Sequence, residues 1–200
     1  MKKTLSIIAM ALAIVSCGDK SATISREQAA LEVINTRVSV RQFTGDKLSD
    51  AQIETILRAG MSAPTAVNKQ PWTFVVVNDE AVLAQLNEAL PSSRIGNGAS
   101  HAIVVCGDME KALEGEAQGY WVEDTSAATE NMLLAAHAMG LGGLWVGVYP
   151  IMEKVQKVSE IINAPEHIVP MCLVVLGQPN EQPAVKDKWK TENIRYNSYK

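Results

Sequence analysis

The stretch Ser62-Ala63-Pro64-Thr65-Ala66-Val67-Asn68-Lys69-Gln70-Pro71-Trp72 joins an amphipathic helical pattern to an apolar strand pattern and holds more than a connection requires. Each of its two prolines fixes φ near about −65° and biases the preceding residue toward extended geometry, so the loop is pre-shaped. Asn68 offers both a donor and an acceptor, the pairing that a uracil-like ring edge demands. Trp72 would anchor the strand that follows. The segment reads as a rigid loop built to present something.

Upstream, Ser49-Asp50-Ala51-Gln52 is a capping box ahead of Ile53, Ile56, Leu57 and Met61, the stripe of an amphipathic helix. A second box, Ser25-Arg26-Glu27-Gln28, opens an earlier helix carrying Ala30, Leu31, Val33 and Ile34. Between the two, Arg37, Ser39 and Arg41 alternate, which places them on one face if the segment is extended. Downstream, residues 73–77 read as a strand with both faces apolar. A helix marked by Val82, Leu83, Leu86 and Leu90 follows, then a Gly- and Ser-containing loop over 91–100 and a buried strand over 101–106. An Ala-rich helix over about 120–139 should be central, and it runs into Gly140-Leu141-Gly142-Gly143, a cluster fit for a C-cap and close backbone approach. An extended run over 144–149, a short helix over 153–162, a strand around Met171 and a polar tail complete the chain. Strands alternating with helices predict one layered α/β or α+β domain over residues 25–200.

The chain has 200 residues, 47% hydrophobic and 20% charged, which suits one domain with a sizeable core. Its net charge of −4 becomes −6 once Lys2 and Lys3 are set aside, so nothing suggests a nucleic-acid partner. Residues 1–16 read as a signal peptide, with a basic start and an apolar run over 5–15 too short to span a bilayer. The run ends Ile14-Val15-Ser16-Cys17, which resembles a bacterial lipobox, so Cys17 is the expected lipidation site and residues 17–24 a polar tether. The expected location is exported and membrane-anchored through the lipid alone; an ordinary secretory signal is the alternative. Cys106 and Cys172 fall in buried strands, where a disulfide stays open if the strands are neighbours. No His and Cys spacing suggests a metal site.

For catalysis by side chains, only His101, His137 and His167 are candidates, and none stands in a nucleophile motif, so each reads as a structural or surface histidine. The glycine cluster fails the dinucleotide fingerprint, because the sixth position is Trp145 and the cluster follows a helix instead of opening one. What remains is a dispersed set of binders. Arg37 and Ser39 suit a phosphate, and Arg41 could set positive charge against an electron-rich ring. Taken alone, the arginines would read as a solvated edge strand with ordinary ion pairs.

Taken together, these segments resemble the FMN-dependent nitroreductase family. The family's Arg-Arg-Ser-x-Arg-x-Phe is matched by Arg37-Val38-Ser39-Val40-Arg41-Gln42-Phe43, and its Ala-Pro-Ser-x-x-Asn-x-Gln-Pro-Trp by residues 63–72; the long helix with its Gly-Leu-Gly turn and Trp145-Val146-Gly147 is a third element. The resemblance implies an α+β nitroreductase-like fold, a central mostly antiparallel sheet flanked by helices, in a homodimer with an extended C-terminal tail. It implies FMN at the dimer interface, with Arg37, Val38, Ser39 and Arg41 on the phosphate, ribityl and N1/C2 side, and Trp145, Val146 and Gly147 past N5. Pro64, Thr65, Ala66 and Asn68 would come from the partner subunit, and Lys186 and Lys188 would complete the phosphate site. Val38 departs from the family's second basic residue, which shifts weight to the tail lysines. The implied reaction is ping-pong hydride transfer from NAD(P)H through flavin N5 to a nitroaromatic, quinone or similar small conjugated acceptor, with no catalytic side chain. A specialised flavin enzyme, a reductive dehalogenase or flavin-fragmenting enzyme with a lid over 108–120, is one alternative. A non-catalytic flavin-binding protein is another, since an exported enzyme lies apart from cytoplasmic NAD(P)H.

Overall fold

The computed structural model describes residues 24–199. The signal peptide, Cys17 and nearly all of the tether lie outside the described residues. The elements follow in the order α1 (Arg26–Thr36), α2 (Asp50–Met61), β1 (Trp72–Val77), α3 (Glu80–Ala89), β2 (His101–Asp108), α4 (Tyr120–Ala138), β3 (Gly142–Gly147), α5 (Met152–Ile161) and β4 (Ile168–Gly177). The strands form one sheet in the order β1-β2-β4-β3, every neighbouring pair antiparallel. The α+β expectation holds.

Local chemistry explains the helix starts. At Ser25 and at Ser49 both halves of the capping box form, the Ser25 and Ser49 hydroxyls accepting from Gln28 N–H at 3.1 Å and Gln52 N–H at 3.3 Å. Asp79 caps α3 by accepting from Ala81 and Val82 N–H at 2.9 and 3.0 Å. Beyond α4, Gly140 turns the chain at φ +72°, a region that costs a side-chain-bearing residue and not glycine.

The sheet is the middle of three layers. The period of two along β2 sends Ala102, Val104 and Cys106 toward α3 and α5, where Leu83, Leu86, Val155 and Val158 meet them. It sends Ile103 and Val105 toward α2 and α4, against Ile56, Met132 and Leu133. Because both faces are covered, all of β2 and nearly all of β4 is buried, which is why these strands read as unbroken apolar runs. The 19-residue α4 buries only one side, through residues such as Thr125, Thr129 and Met132.

The same alternation settles the cysteines. Their strands are neighbours, but a register shift after Val105 and the pleat leave Cys106 in one core layer and Cys172 in the other. Both are free thiols, so no disulfide forms. Burial pushes each thiol up to about 12, which makes them inert small hydrophobes.

Helix α1 is different in kind. It has no buried residue, and Leu31 and Ile34 are 49% and 55% exposed on the single chain. Among the described residues no helix is long and apolar enough to cross a membrane.

Candidate functional site

Residues 37–44 form a strap rather than a strand, with one isolated bridge between Phe43 and Pro179. It is pinned from several sides: Val40 N–H donates to Gly143 O at 3.1 Å, Phe43 N–H to Asn97 O at 2.9 Å, and Thr44 N–H to Gln178 O at 3.0 Å. Glycines admit the strap. A Cβ at Gly142 would lie 2.9 Å from Phe43 and from Val40, and one at Gly177 would lie 2.9 Å from Phe43. The glycine cluster that fails as a dinucleotide motif therefore serves as a slot for Phe43, which is 4% exposed. With Val40 and Phe43 turned inward, Arg41 is left at the surface. The backbone N–H of Arg41 donates to Glu181 Oε1, so the start of the tail is clasped to the strap.

That clasp builds a cavity of about 830 Å³ between the strap and the tail. Arg37, Val38, Ser39, Arg41, Lys186 and Lys188 all line it, along with Asp187. Arg37 is also bonded through Nε to Glu130 Oε1 of α4 at 3.2 Å. A guanidinium has five N–H donors, so this pair orients Arg37 and leaves its terminal nitrogens for a ligand. The ordinary ion pair and the binding role are thus compatible.

A second cavity of about 430 Å³ has Trp145, Val146 and Gly147 in its wall, together with Ser92, Lys154 and Arg41. Arg41 borders both cavities. Tyr149 also lines the second and is fixed by an edge-on contact with Trp121, ring centroids 4.9 Å apart.

Pro64, Thr65, Ala66 and Asn68 border neither cavity of their own chain. Their loop is shaped by more than its prolines. Val67, Asn68 and Gln70 have φ of +41°, +58° and +51°, and for a β-branched residue such as Val67 that is strained. One long-range and two local bonds hold the shape: Ala66 N–H donates to Asp124 Oδ1 at 2.8 Å, Gln70 N–H to Thr65 Oγ1 at 3.1 Å, and Gln70 Nε2 to Asn68 Oδ1 at 3.0 Å. Trp72 is buried at the loop's end, as expected of an anchor. Asp124 escapes sequence reasoning because it follows the first turn of α4, where an acid ordinarily reads as a solvated side chain. Ser92 and Lys154 stand in no motif and gave no signal beyond their chain positions.

His137 and His101 are structural, whereas the His167 side chain is partly exposed, 3.7 Å from Glu110. Thr36 Oγ1 lies 2.9 Å from His137 Nε2, and burial, with Arg37 adding to it, holds His137 below the usual histidine range. His101 is buried beside Ser100; burial and the field of Lys47 lower it against a smaller opposing effect of Asp50. Asp108, Glu110 and His167 place ligand atoms within 4.8 Å of one another. Lys111 Nζ already lies 2.8 Å from Asp108 Oδ2, and Glu110 N–H donates to Oδ1, so the carboxylate is satisfied without a metal. Burial opposes ionisation of Asp108, but these bonds outweigh it and hold the group below the usual carboxylate range. The supposed lid over 108–120 is a turn and a short 3-10 segment that borders neither cavity of its own chain.

The three-layer α+β core thus carries a basic cavity and a second cavity that share Arg41 in their walls. The nitroreductase family model matches residues 34–93 and 90–178. The chain belongs to the nitroreductase family. An Archaeoglobus fulgidus protein named "Putative NADH dehydrogenase/NAD(P)H nitroreductase" is 42% identical over 84% of this chain and 92% of its own. A solved structure of the same name from Bacteroides thetaiotaomicron superposes with a TM-score of 0.80 at 40% identity, covering 86% of this chain and 98% of that one. A Desulfovibrio desulfuricans structure, "a putative nitroreductase in complex with fmn", has a TM-score of 0.72 at 27% identity over 86% and 98% of the two chains.

Proposed function

We propose that the protein is an FMN-dependent NAD(P)H oxidoreductase that reduces a nitroaromatic, quinone or similar conjugated acceptor by ping-pong turnover. The observation that carries this reading is Arg41, which borders a cavity rich in phosphate-type donors on one side and a ring-sized cavity on the other. FMN has that same build, an anionic phosphate joined by a flexible chain to a flat ring. The donor set fits it: Arg37, Ser39, Lys186 and Lys188 hold the phosphate, Arg41 meets the inner edge of the ring, and the backbone of Trp145, Val146 and Gly147 runs along it. FMN, when bound, supplies hydride uptake and delivery at its N5. No side chain is then asked for a nucleophile or base, in keeping with His101 and His137 being tied up structurally.

The working unit in this reading is a homodimer. Support comes from the bare Leu31 and Ile34 of α1, and from a strained, ordered loop whose Pro64, Thr65, Ala66 and Asn68 have no role in their own chain's cavities. Strain of this kind persists where surroundings impose it, and it clusters at ligand sites. The partner's copy of the loop supplies Asn68 to the pyrimidine edge. A lipid at Cys17 anchors the domain to the outside of a membrane through the 17–24 tether; metabolic labelling with a palmitate analogue, lost in Cys17→Ala, checks it.

The flavin reading is tested by purifying the protein, identifying the released chromophore by mass, and adding NADH or NADPH without oxygen. Bleaching of the yellow band is the expected result. A flavin bleached by dithionite and by neither nicotinamide sinks the donor assignment, and a colourless protein that takes up no FMN sinks the whole.

A further inference from the structure

The cavity walled by Trp145, Val146 and Gly147 carries two cations, Arg41 and Lys154, and no carboxylate among the residues that line it. Lys154 is poorly explained as a structural lysine. It stands in the first turn of α5, where the helix dipole disfavours positive charge. The helix positions able to pair with it, Pro150, Ile151, Lys157 and Val158, hold no acid. Its neighbour Lys157 does have such a partner, Glu153 at 2.7 Å, while no salt bridge reaches Lys154 among the described residues. Lys154 is nevertheless half-buried against the cavity. A cation held at the wrong end of a helix, without a salt bridge and lining the same cavity as a second cation, is placed for negative charge that arrives with a ligand.

We propose that Lys154 is a positioning residue for the flavin, flanking the ring together with Arg41 and stabilising it when reduced. The proposal rests on the FMN reading. Two electrons and one proton, taken as hydride from NAD(P)H, convert the neutral oxidised ring to a monoanion. A fixed ammonium beside that ring favours the reduced form, and more strongly at a site poor in water than at the surface.

The test uses the flavin-loaded protein with Lys154→Met, Lys154→Gln and Lys154→Arg. Sulfite adds to flavin N5 and leaves a negative charge on the ring, so its affinity, read from bleaching, reports local positive charge without turnover. Lys154→Met and Lys154→Gln should weaken sulfite binding about tenfold or more and lower the two-electron midpoint potential by about 30 mV for each tenfold, while Lys154→Arg restores both. Flavin lost from the neutral variants and retained by Lys154→Arg also supports the placement. Sulfite affinity and potential within twofold of wild type in both neutral variants overturn it, as does a change confined to the KM of the acceptor. A wild-type protein that neither carries nor takes up FMN overturns it by a separate route, through the reading beneath it.

Discussion

The strap over 37–44 and the loop over 62–72 carry the two motifs of the chain, and they are held in opposite ways. The strap has negative φ throughout and lies in glycine slots of the sheet, with Phe43 as its key and Arg37 and Arg41 as its output. The loop stores strain at Val67, Asn68 and Gln70, is tied to the fold by the bond to Asp124, by Asp108 N–H donating to Pro71 O at 3.0 Å and by buried Trp72 at its end, and leaves Val67 78% exposed. Packing fixes the segment that serves its own chain's cavities, whereas hydrogen bonds and strain fix a segment that projects away from them. The consequence is that the two should fail differently when attacked.

The largest effect is expected at the key of the strap. Phe43→Ala removes a side chain that is 4% exposed and seated against Gly142 and Gly177, and should cost about 3–5 kcal/mol, seen as a large fall in denaturant midpoint. Flavin should be lost with it, because the strap that presents Arg37 and Arg41 is released. Asp124→Ala attacks the loop and should cost less, about 1–3 kcal/mol, as the Ala66 N–H loses its partner. If the loop serves the partner's site, this variant should bind FMN less tightly while its own strap is intact; Asp124→Asn, which keeps an acceptor oxygen, should recover most of the loss. Unaltered flavin affinity in Asp124→Ala would separate the loop from the site.

Most of the fold could be read from sequence because its signals are local. Two capping boxes, the Ala-rich run of α4 and the apolar strands sit where the residues put them. The sheet order could not be read, since β4 inserts between β2 and β3 only through pairings remote in sequence. The facing of Cys106 away from Cys172 depends on a register shift that has no sequence mark. At the site, Arg37, Ser39 and Arg41 were legible through their alternation, yet Asp124 and Lys154 were not. Each is a charged residue in a helix turn, where solvation is the ordinary explanation, and only their burial and neighbours distinguish them. The loop at 62–72 was half legible: its prolines announce rigidity, while the left-handed residues that set its shape include a valine, which intrinsic preference places elsewhere.

That valine sharpens the contrast further. Val67→Gly relieves the strain of a β-branched residue at φ +41° but adds backbone freedom to the unfolded chain. The two oppose, and a net gain of about 1 kcal/mol or less is expected in the melt. A rigid presenting loop should meanwhile lose some of its hold on FMN, so stability and flavin affinity should move in opposite directions. Both rising together would mean that the strain has no part in binding.

The smallest effect concerns the hinge between α1 and the strap, where Thr36 meets His137 and Arg37 meets Glu130. Burial and Arg37 hold the His137 pKa below its unfolded value, so the unfolded chain binds the proton more readily. Stability from this group is therefore full above about pH 6.5 and is lost as pH falls through the lower folded pKa. His101 is shifted the same way, so the wild type should lose stability on acidification to pH 5 at no more than about 1.4 kcal/mol per pH unit for each histidine. His137→Gln keeps a partner for Thr36 and removes the proton site. Its melting temperature should fall less steeply between pH 7.5 and 5 than that of the wild type, and an equal slope in both would assign the acid sensitivity of the domain to His101 instead.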